Sequence, residues 1–278
     1  MPVEIETPIN SVTRLPVLQS WRLETMDAES RAHEPGIGYD VVTRILDIVI
    51  SMLALTLFAP LMILIAIVIK FTSRGAVIFR QVRIGCDRRK RGASGARAER
   101  RNDDVFGKPF VLYKFRSMHG DARERFPELY AYQHSEEEMR TLPIKILVGQ
   151  KCNVGELNGQ LNSRLLSDPR VTPFGRWLRR TSFDELPNFF NVLKGDMHLV
   201  GPRPDIAENI RYYSERHMRK LDVKPGITGL AQVSGRGKLS FDMTNEYDVL
   251  YVANRSVLFD LKIIFRTLLV CVKRDGAF

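Results

Sequence analysis

The hydrophobic pattern of this chain is uneven, and its extreme comes early. From Ile48 through Ile69 no charged residue occurs, and Ile, Leu and Val dominate. About 20 apolar residues suffice to cross the hydrocarbon core of a bilayer, so the run predicts a membrane helix. Arg44 precedes it, and Lys70, Arg74, Arg80 and Arg83 follow. With basic residues on both flanks, the positive-inside rule does not choose an orientation. Pro60 lies near the middle, where its missing N–H removes a helical bond and favours a kink. Two arrangements satisfy these facts: a kinked helix that crosses once, or a helix that breaks and returns to the same face. Length and hydropathy alone favour the crossing.

Elsewhere the pattern is that of a folded domain. Val77 to Gly85 reads as a strand, and Phe110 to Met118 alternates as a second one, with Lys114 and Arg116 on one face. Residues 121–140 are charged and compatible with a helix, and the segment to Ser167 reads as loops around Gly149, Gly155 and Gly159. Thr172 to Arg180 predicts an amphipathic helix with Phe174, Trp177 and Leu178 on one side. Trp beside Arg suits a bilayer interface, with an ordinary core helix as the alternative. Leu258, Leu261, Ile264, Phe265, Leu268, Leu269 and Val272 recur at helical spacing, while Asp260, Lys262 and Arg266 exclude a second crossing. That segment is an interfacial or core helix.

Composition narrows the partners. The chain has 278 residues and a formal net charge of +10, which points to a phospholipid surface, a phosphorylated substrate or a nucleic acid. No recognised nucleic-acid module is present, and a nucleic-acid reading leaves the apolar run unexplained. Cys86, Cys152 and Cys271 are far apart and read as reduced thiols, and the histidines form no cluster, so no zinc site is expected. Residues 1–38 lack a hydrophobic period and predict a mobile tail. Residues 87–104 are basic and almost free of apolar residues, a mobile loop drawn to anionic headgroups or simply solvated.

The candidate chemistry lies in the stretch from Thr181 to Met197. Asp184 and Glu185 are adjacent acids, and Ser182 with Glu185 fits a capping box. Against that account, Pro187 would then fall at the fifth helical position, where its missing donor costs a bond. The chemical account uses the roughly 100° between successive helical residues to divide labour between the two acids. An aspartate carboxylate is a competent nucleophile toward phosphoryl groups, and magnesium takes one or two carboxylates plus phosphate oxygens. Arg179 and Arg203 suit bidentate phosphate contacts, with Pro202 and Pro204 restricting the backbone around Arg203. On residue physics alone both accounts stand.

The runs Arg179 to Pro187, Asn191 to Met197 and Leu199 to Pro204 resemble the bacterial sugar transferase family, which makes polyprenyl-diphosphate sugars at the start of exopolysaccharide and glycan assembly. Phe79-Arg80-Gln81, Arg83-Ile84-Gly85, Tyr113 to Met118, Lys224 to Leu230 and Asp260 to Ile264 extend the likeness in order from about Arg44 to Thr267. The resemblance implies an α+β protein: an N-terminal re-entrant membrane helix, then a small cytoplasmic catalytic domain with amphipathic interfacial helices. Its divisions would be the tail at 1–38, a membrane-inserted helix at 39–72 broken near Pro60, and a catalytic domain at 73–278. Asp184 would attack the sugar-bearing phosphate of a UDP-sugar, releasing UMP, and undecaprenyl phosphate would then accept the phosphosugar. Glu185 would bind Mg2+, and Lys114, Arg116, Arg179, Arg203 and Asp260 would shape the phosphate and nucleotide site. The expected setting is the bacterial inner membrane with the domain facing the cytoplasm, among membrane lipids and downstream glycosyltransferases. A homodimer through the membrane-associated helices is one arrangement open to it.

Some positions depart from the family pattern. Ala76 stands where Pro is common, Phe183 where Leu is common and Ala231 where Trp is common, and the basic loop looks like an insertion. None of these removes a charged group that the chemistry needs. Without the multi-span N-terminal domain of some members, the expectation is a minimal type. The sugar is not readable, with glucose or galactose as the guess. A catalytically silent membrane-bound assembly partner is the alternative from another class, which complementation by an Asp184→Ala variant would favour.

Overall fold

The computed structural model describes residues 36–86, 107–127, 168–235 and 238–273. The expected basic loop, nearly all of the expected tail, and Cys152 lie outside them. The apolar run folds into α1 (Ile37–Thr72), one helix of 36 residues with Pro60 inside it. At 1.5 Å per residue it is about 54 Å long. Its helical assignment runs on through Pro60, because losing one donor leaves the remaining bonds to carry the chain through. By length and composition this is the one helix among the described residues that could cross a membrane.

α1 buries one stripe and leaves the other bare. Thr43, Asp47, Ser51, Ile65 and Ile69 are buried, whereas Val49, Leu53, Leu57, Leu64 and Phe71 are exposed. The i, i+4 steps of the buried set are what a helix lying along a partner requires. Ile50 packs against the main core, and Phe58, Leu61 and Met62 pack around a second cluster. Polar contacts pin both ends. Near the start, Tyr39 donates to Asp260 at 2.8 Å and Arg44 donates to the carbonyls of Val192 and Leu193, both at 2.7 Å. Asp47 pairs with His198 and accepts from the Leu199 N–H at 2.8 Å. At the far end Arg116 grips Ser73.

β1 (Ile78–Ile84) and β2 (Pro109–Phe115) form an antiparallel pair, with Phe79 opposite Lys114 and Val82 opposite Val111. After β2 comes a short helix, α2 (Ala122–Arg125). The arginine-rich segment forms α3 (Pro173–Thr181), then a 3-10 turn over Phe183–Glu185, then α4 (Asn188–Lys194). β3 (His198–Val200) pairs in parallel with β4 (Gly226–Thr228), and α5 (Ala207–Ile210) lies between them in sequence. The chain closes with α6 (Leu230–Gly235), α7 (Phe241–Ala253) and α8 (Val257–Lys273). The result is a mixed helix and sheet fold, as expected.

The main core joins Leu112, Val192, Met197, Leu199, Leu250 and Ile263, from both sheets and several helices. The second cluster sets Ile65 and Ile69 of α1 against Phe115, Leu178 and Leu186. On α8 the core takes Phe259 and Ile263, which lie beside the periodic apolar face, and Ile264 packs against it, while Leu258, Leu261, Phe265, Leu268 and Leu269 of that face stay exposed. Trp177 on α3 is likewise 42% exposed and stacks on Phe174. Cys86 and Cys271 form no disulfide.

Candidate active site

The acidic pair sits in an interruption between two helices. α3 starts at Thr172, whose side chain accepts from the Gly175 N–H at 2.9 Å, and Pro173 follows at the first helical position. The helix stops at Ser182, which adopts a left-handed conformation with φ of 60° and returns its N–H to the carbonyls of Leu178 and Arg179. Ser182 therefore closes the preceding helix, and its side chain makes no capping bond to the next turn. The capping box is not formed. Pro187 serves as the start of α4, where its missing N–H is harmless. The helix expected to begin just after Ser182 begins instead at Asn188, and a 3-10 turn before it carries Asp184 and Glu185.

Strand β2 runs beside this turn and is locked to α4 by Asn191. The fully buried Asn191 side chain accepts from the Tyr113 N–H at 3.1 Å and donates to the Val111 carbonyl at 2.6 Å, as a neighbouring strand would. That lock sets Lys114 against the acids, and its ammonium lies 2.6 Å from Glu185. On the other side, Arg179 donates through Nε to Ser117 Oγ at 2.9 Å. The close approach is enforced at Gly175, where a Cβ would fall 1.9 Å from the Ser117 carbonyl oxygen. Arg170 forms two side-chain bonds to Asp168 beside Arg179, at 2.9 and 2.8 Å.

Asp184 is 8% exposed. Burial, and then the neighbouring Glu185 charge, push its carboxyl up to about 6, with Lys114 and Arg179 pulling the other way. At pH 7 that leaves about nine in ten molecules ionised, with a more basic carboxylate than a free aspartate. Burial lowers the Arg179 guanidinium from its ordinary value, opposed by Asp184 and Asp168. Burial alone would raise Asp168, but its bonds to Arg170 win and hold it below the usual range. The arrangement is a buried carboxylate flanked by one lysine and one arginine.

A third arginine, in the family-like run Arg83-Ile84-Gly85, also lies close by. Arg83 on β1 donates to the Pro204 carbonyl at 3.3 Å and reaches Asp205 at 4.0 Å. Burial lowers its pKa first and the nearby Arg203 charge second, with Asp205 and Glu185 opposing. Arg83 thus feels the charges of both the exposed Arg203 and Glu185. Like charges gathered beside a carboxylate are the layout of an anion site. Asp168 and Arg170 escape a reading of the sequence, while Ser117 lies in the family-like run Tyr113 to Met118 without a role assigned from it. Asp168 and Arg170, two residues apart with opposite charge, still carry a local signal.

Two expected residues are not brought to this cluster. Arg116 turns toward the end of α1, and burial lowers its pKa. Asp260 accepts from the Tyr39 and Tyr251 hydroxyls, both at 2.8 Å, and burial pushes its carboxyl up to about 6. It ties α8 to α1 and α7. Among the described residues no group of three or more His, Cys, Asp or Glu could hold a metal. Magnesium needs fewer protein ligands, because phosphate oxygens and water complete its shell. Glu185, with a side chain 26% exposed beside Asp184, supplies a hard oxygen of the right kind, so the residues fit that ion.

Residues 38–274 match the bacterial sugar transferase family. The UDP-glucose:undecaprenyl-phosphate glucose-1-phosphate transferase of Klebsiella pneumoniae is 38% identical over 235 residues, covering 82% of this chain and 39% of that protein. The undecaprenyl-phosphate galactose phosphotransferase of Salmonella typhimurium is 36% identical, covering 84% and 41%. This chain therefore spans about two fifths of the length of each. The exopolysaccharide production protein ExoY of Rhizobium meliloti is 32% identical, and there the alignment covers 84% of this chain and 87% of that one.

Proposed function

The chain belongs to the bacterial sugar transferase family, and from that membership we propose that it transfers a sugar-1-phosphate from a UDP-sugar to undecaprenyl phosphate. The observation that carries the reading is Asp184: buried, raised to about 6, and flanked by Lys114 and Arg179. In the first step an Asp184 carboxylate oxygen attacks the sugar-bearing phosphorus. The bond from that phosphorus to the oxygen bridging the two phosphates breaks, and UMP leaves with the electron pair. In the second step a phosphate oxygen of the lipid attacks the same phosphorus, freeing the Asp184 carboxylate and giving the lipid diphosphate sugar.

Lys114, Arg179 and Arg203 draw the phosphate oxygens in and offset the repulsion between an anionic nucleophile and an anionic substrate. Arg83, beside Arg203, adds to that field. Glu185 would hold magnesium, which supplies charge neutralisation at the phosphates when bound. The finer setting is the bacterial inner membrane, with both flanks of α1 and the catalytic residues on the cytoplasmic side and downstream glycosyltransferases consuming the product. What supports a common side for both flanks is that one folded domain holds Arg44 at one end of α1 and Ser73 at the other.

Full-length protein given UDP-sugars, Mg2+ and undecaprenyl phosphate should release UMP, and a panel of donors would identify the sugar. With donor but no lipid acceptor, label from the sugar-bearing phosphate should become covalently attached to the wild type and not to Asp184→Asn. Full turnover by Asp184→Asn sinks the mechanism.

A further inference from the structure

At the C-terminal end of α1 lies an open depression of about 540 Å3, lined by Gly75, Ala76, Phe79, Arg80, Arg116 and Gly120 among others. The reaction above does not use it. Arg116 is 8% exposed, and its Nη2 donates to the Ser73 carbonyl and hydroxyl, both at 2.7 Å. Its Nε and Nη1 are buried without a hydrogen-bond partner. No described carboxylate offsets the charge, and the lining contains two arginines and no acid. Gly75 is needed for this packing: it sits at φ 113°, and a Cβ there would fall 2.5 Å from Arg116 Nη1.

A buried guanidinium with unused donors and no counter-charge is costly. The C-terminal dipole of α1 and the two Ser73 contacts offset only part of that cost. A bound anion would offset the rest. The surroundings say from where it comes: Phe71 at the end of α1 is 87% exposed, and Phe79 at the rim is 48% exposed. Phe71 continues the bare apolar side of α1, and Phe79 on β1 lines the cavity itself. A ligand with an anionic head and an apolar body matches both features.

We propose that this cavity seats the phosphate of a membrane lipid, with Arg116 as the buried donor and Arg80 at the rim. Phosphate is the anion that arginine recognises with paired N–H bonds. The seat is separate from the acidic pair, because neither acid, nor Lys114, Arg179 or Arg203, lines it. It rests on α1 lying against a membrane and not on the transfer reaction.

The test is native mass spectrometry of the full chain in neutral detergent, which needs no turnover and so stands or falls apart from the proposed activity. The protein is titrated with short-chain phosphatidylglycerol, with farnesyl phosphate as a short polyprenyl phosphate, and with inorganic phosphate. Arg116→Gln should weaken lipid retention about tenfold, the scale of a lost charged hydrogen bond. Arg80→Gln should weaken it less, and Ser73→Ala should leave it intact. Tighter retention of farnesyl phosphate identifies the lipid acceptor as the occupant, and equal retention identifies a structural phospholipid. If Arg116→Gln does not fold, the exposed Arg80→Gln decides. Unchanged retention in both arginine variants overturns the proposal. So does an equal loss in Ser73→Ala, which marks Arg116 as a helix cap only, or inorganic phosphate binding as well as either lipid.

Discussion

Asp184 has to be buried enough to be a strong nucleophile and ionised enough to act. A carboxyl raised to about 6 meets both demands at neutral pH. Activity should therefore rise with pH through about 6 and then level off, in a pH profile of kcat/KM. Lys114 lowers the Asp184 pKa, so Lys114→Met should move that acid limb to higher pH as well as slow the reaction. The same shift has a stability consequence. A pKa raised in the folded state means that folding favours the protonated form. Its contribution is fully present below about pH 4 and lost as pH rises through about 6. Above that, the stabilisation lost on ionising Asp184 is about 3 kcal/mol. Asp184→Asn should thus melt higher than the wild type at pH 7.5 and no higher at pH 4. At this scale the acids, Lys114 and Arg179 are legible in the sequence because they are close along the chain or fixed by alternation. Arg116 is not: the alternation that puts it beside Lys114 ends with β2 at Phe115. Asp260 is not legible either, because one of its partners is Tyr39, 221 residues away.

The turn between α3 and α4 is held by elements on both sides. Asn191 is the main tie, serving one N–H and one carbonyl of β2 from within α4. Asn191→Ala would leave both backbone groups without that partner, at a cost of about 2–3 kcal/mol. Thermal unfolding should register that loss, and UMP release should fall further than stability explains, because Lys114 loses its register with the turn. Asn191→Asp keeps the acceptor and loses the donor, so it should not rescue. Periodicity and charge locate the strand, the arginine helix and the acids, yet they make Ser182 the cap of a second helix that would carry both acids. Helical spacing cannot reveal a serine in a left-handed conformation, which closes α3 and leaves the acids on a 3-10 turn before α4. Spacing misleads at α8 too, where the periodic apolar face is largely bare and the core takes Phe259 and Ile263 beside it.

For the whole molecule, the decisive relation is between α1 and everything else. Hydropathy makes the helix legible, but not its docking. The uncharged run begins at Ile48, and the residue before it, Asp47, is a buried anchor for His198 and Leu199. If one domain holds both ends, both ends face the same aqueous compartment. Single cysteines introduced at Gly38 and Arg74 should react with an impermeant thiol reagent from the cytoplasmic side of oriented vesicles. Labelling from opposite sides would restore the simple crossing.

Arg44 also determines what can be cut away. It caps the last carbonyls of α4, the helix that begins three residues after Glu185, while Ile65 and Ile69 cover Leu178 and Leu186 on either side of the acids. A soluble version trimmed to start at Arg74 would lose part of the wall of its own active site along with its attachment. Crystallographers or enzymologists wanting a water-soluble form should keep α1 and recode its bare side to polar residues.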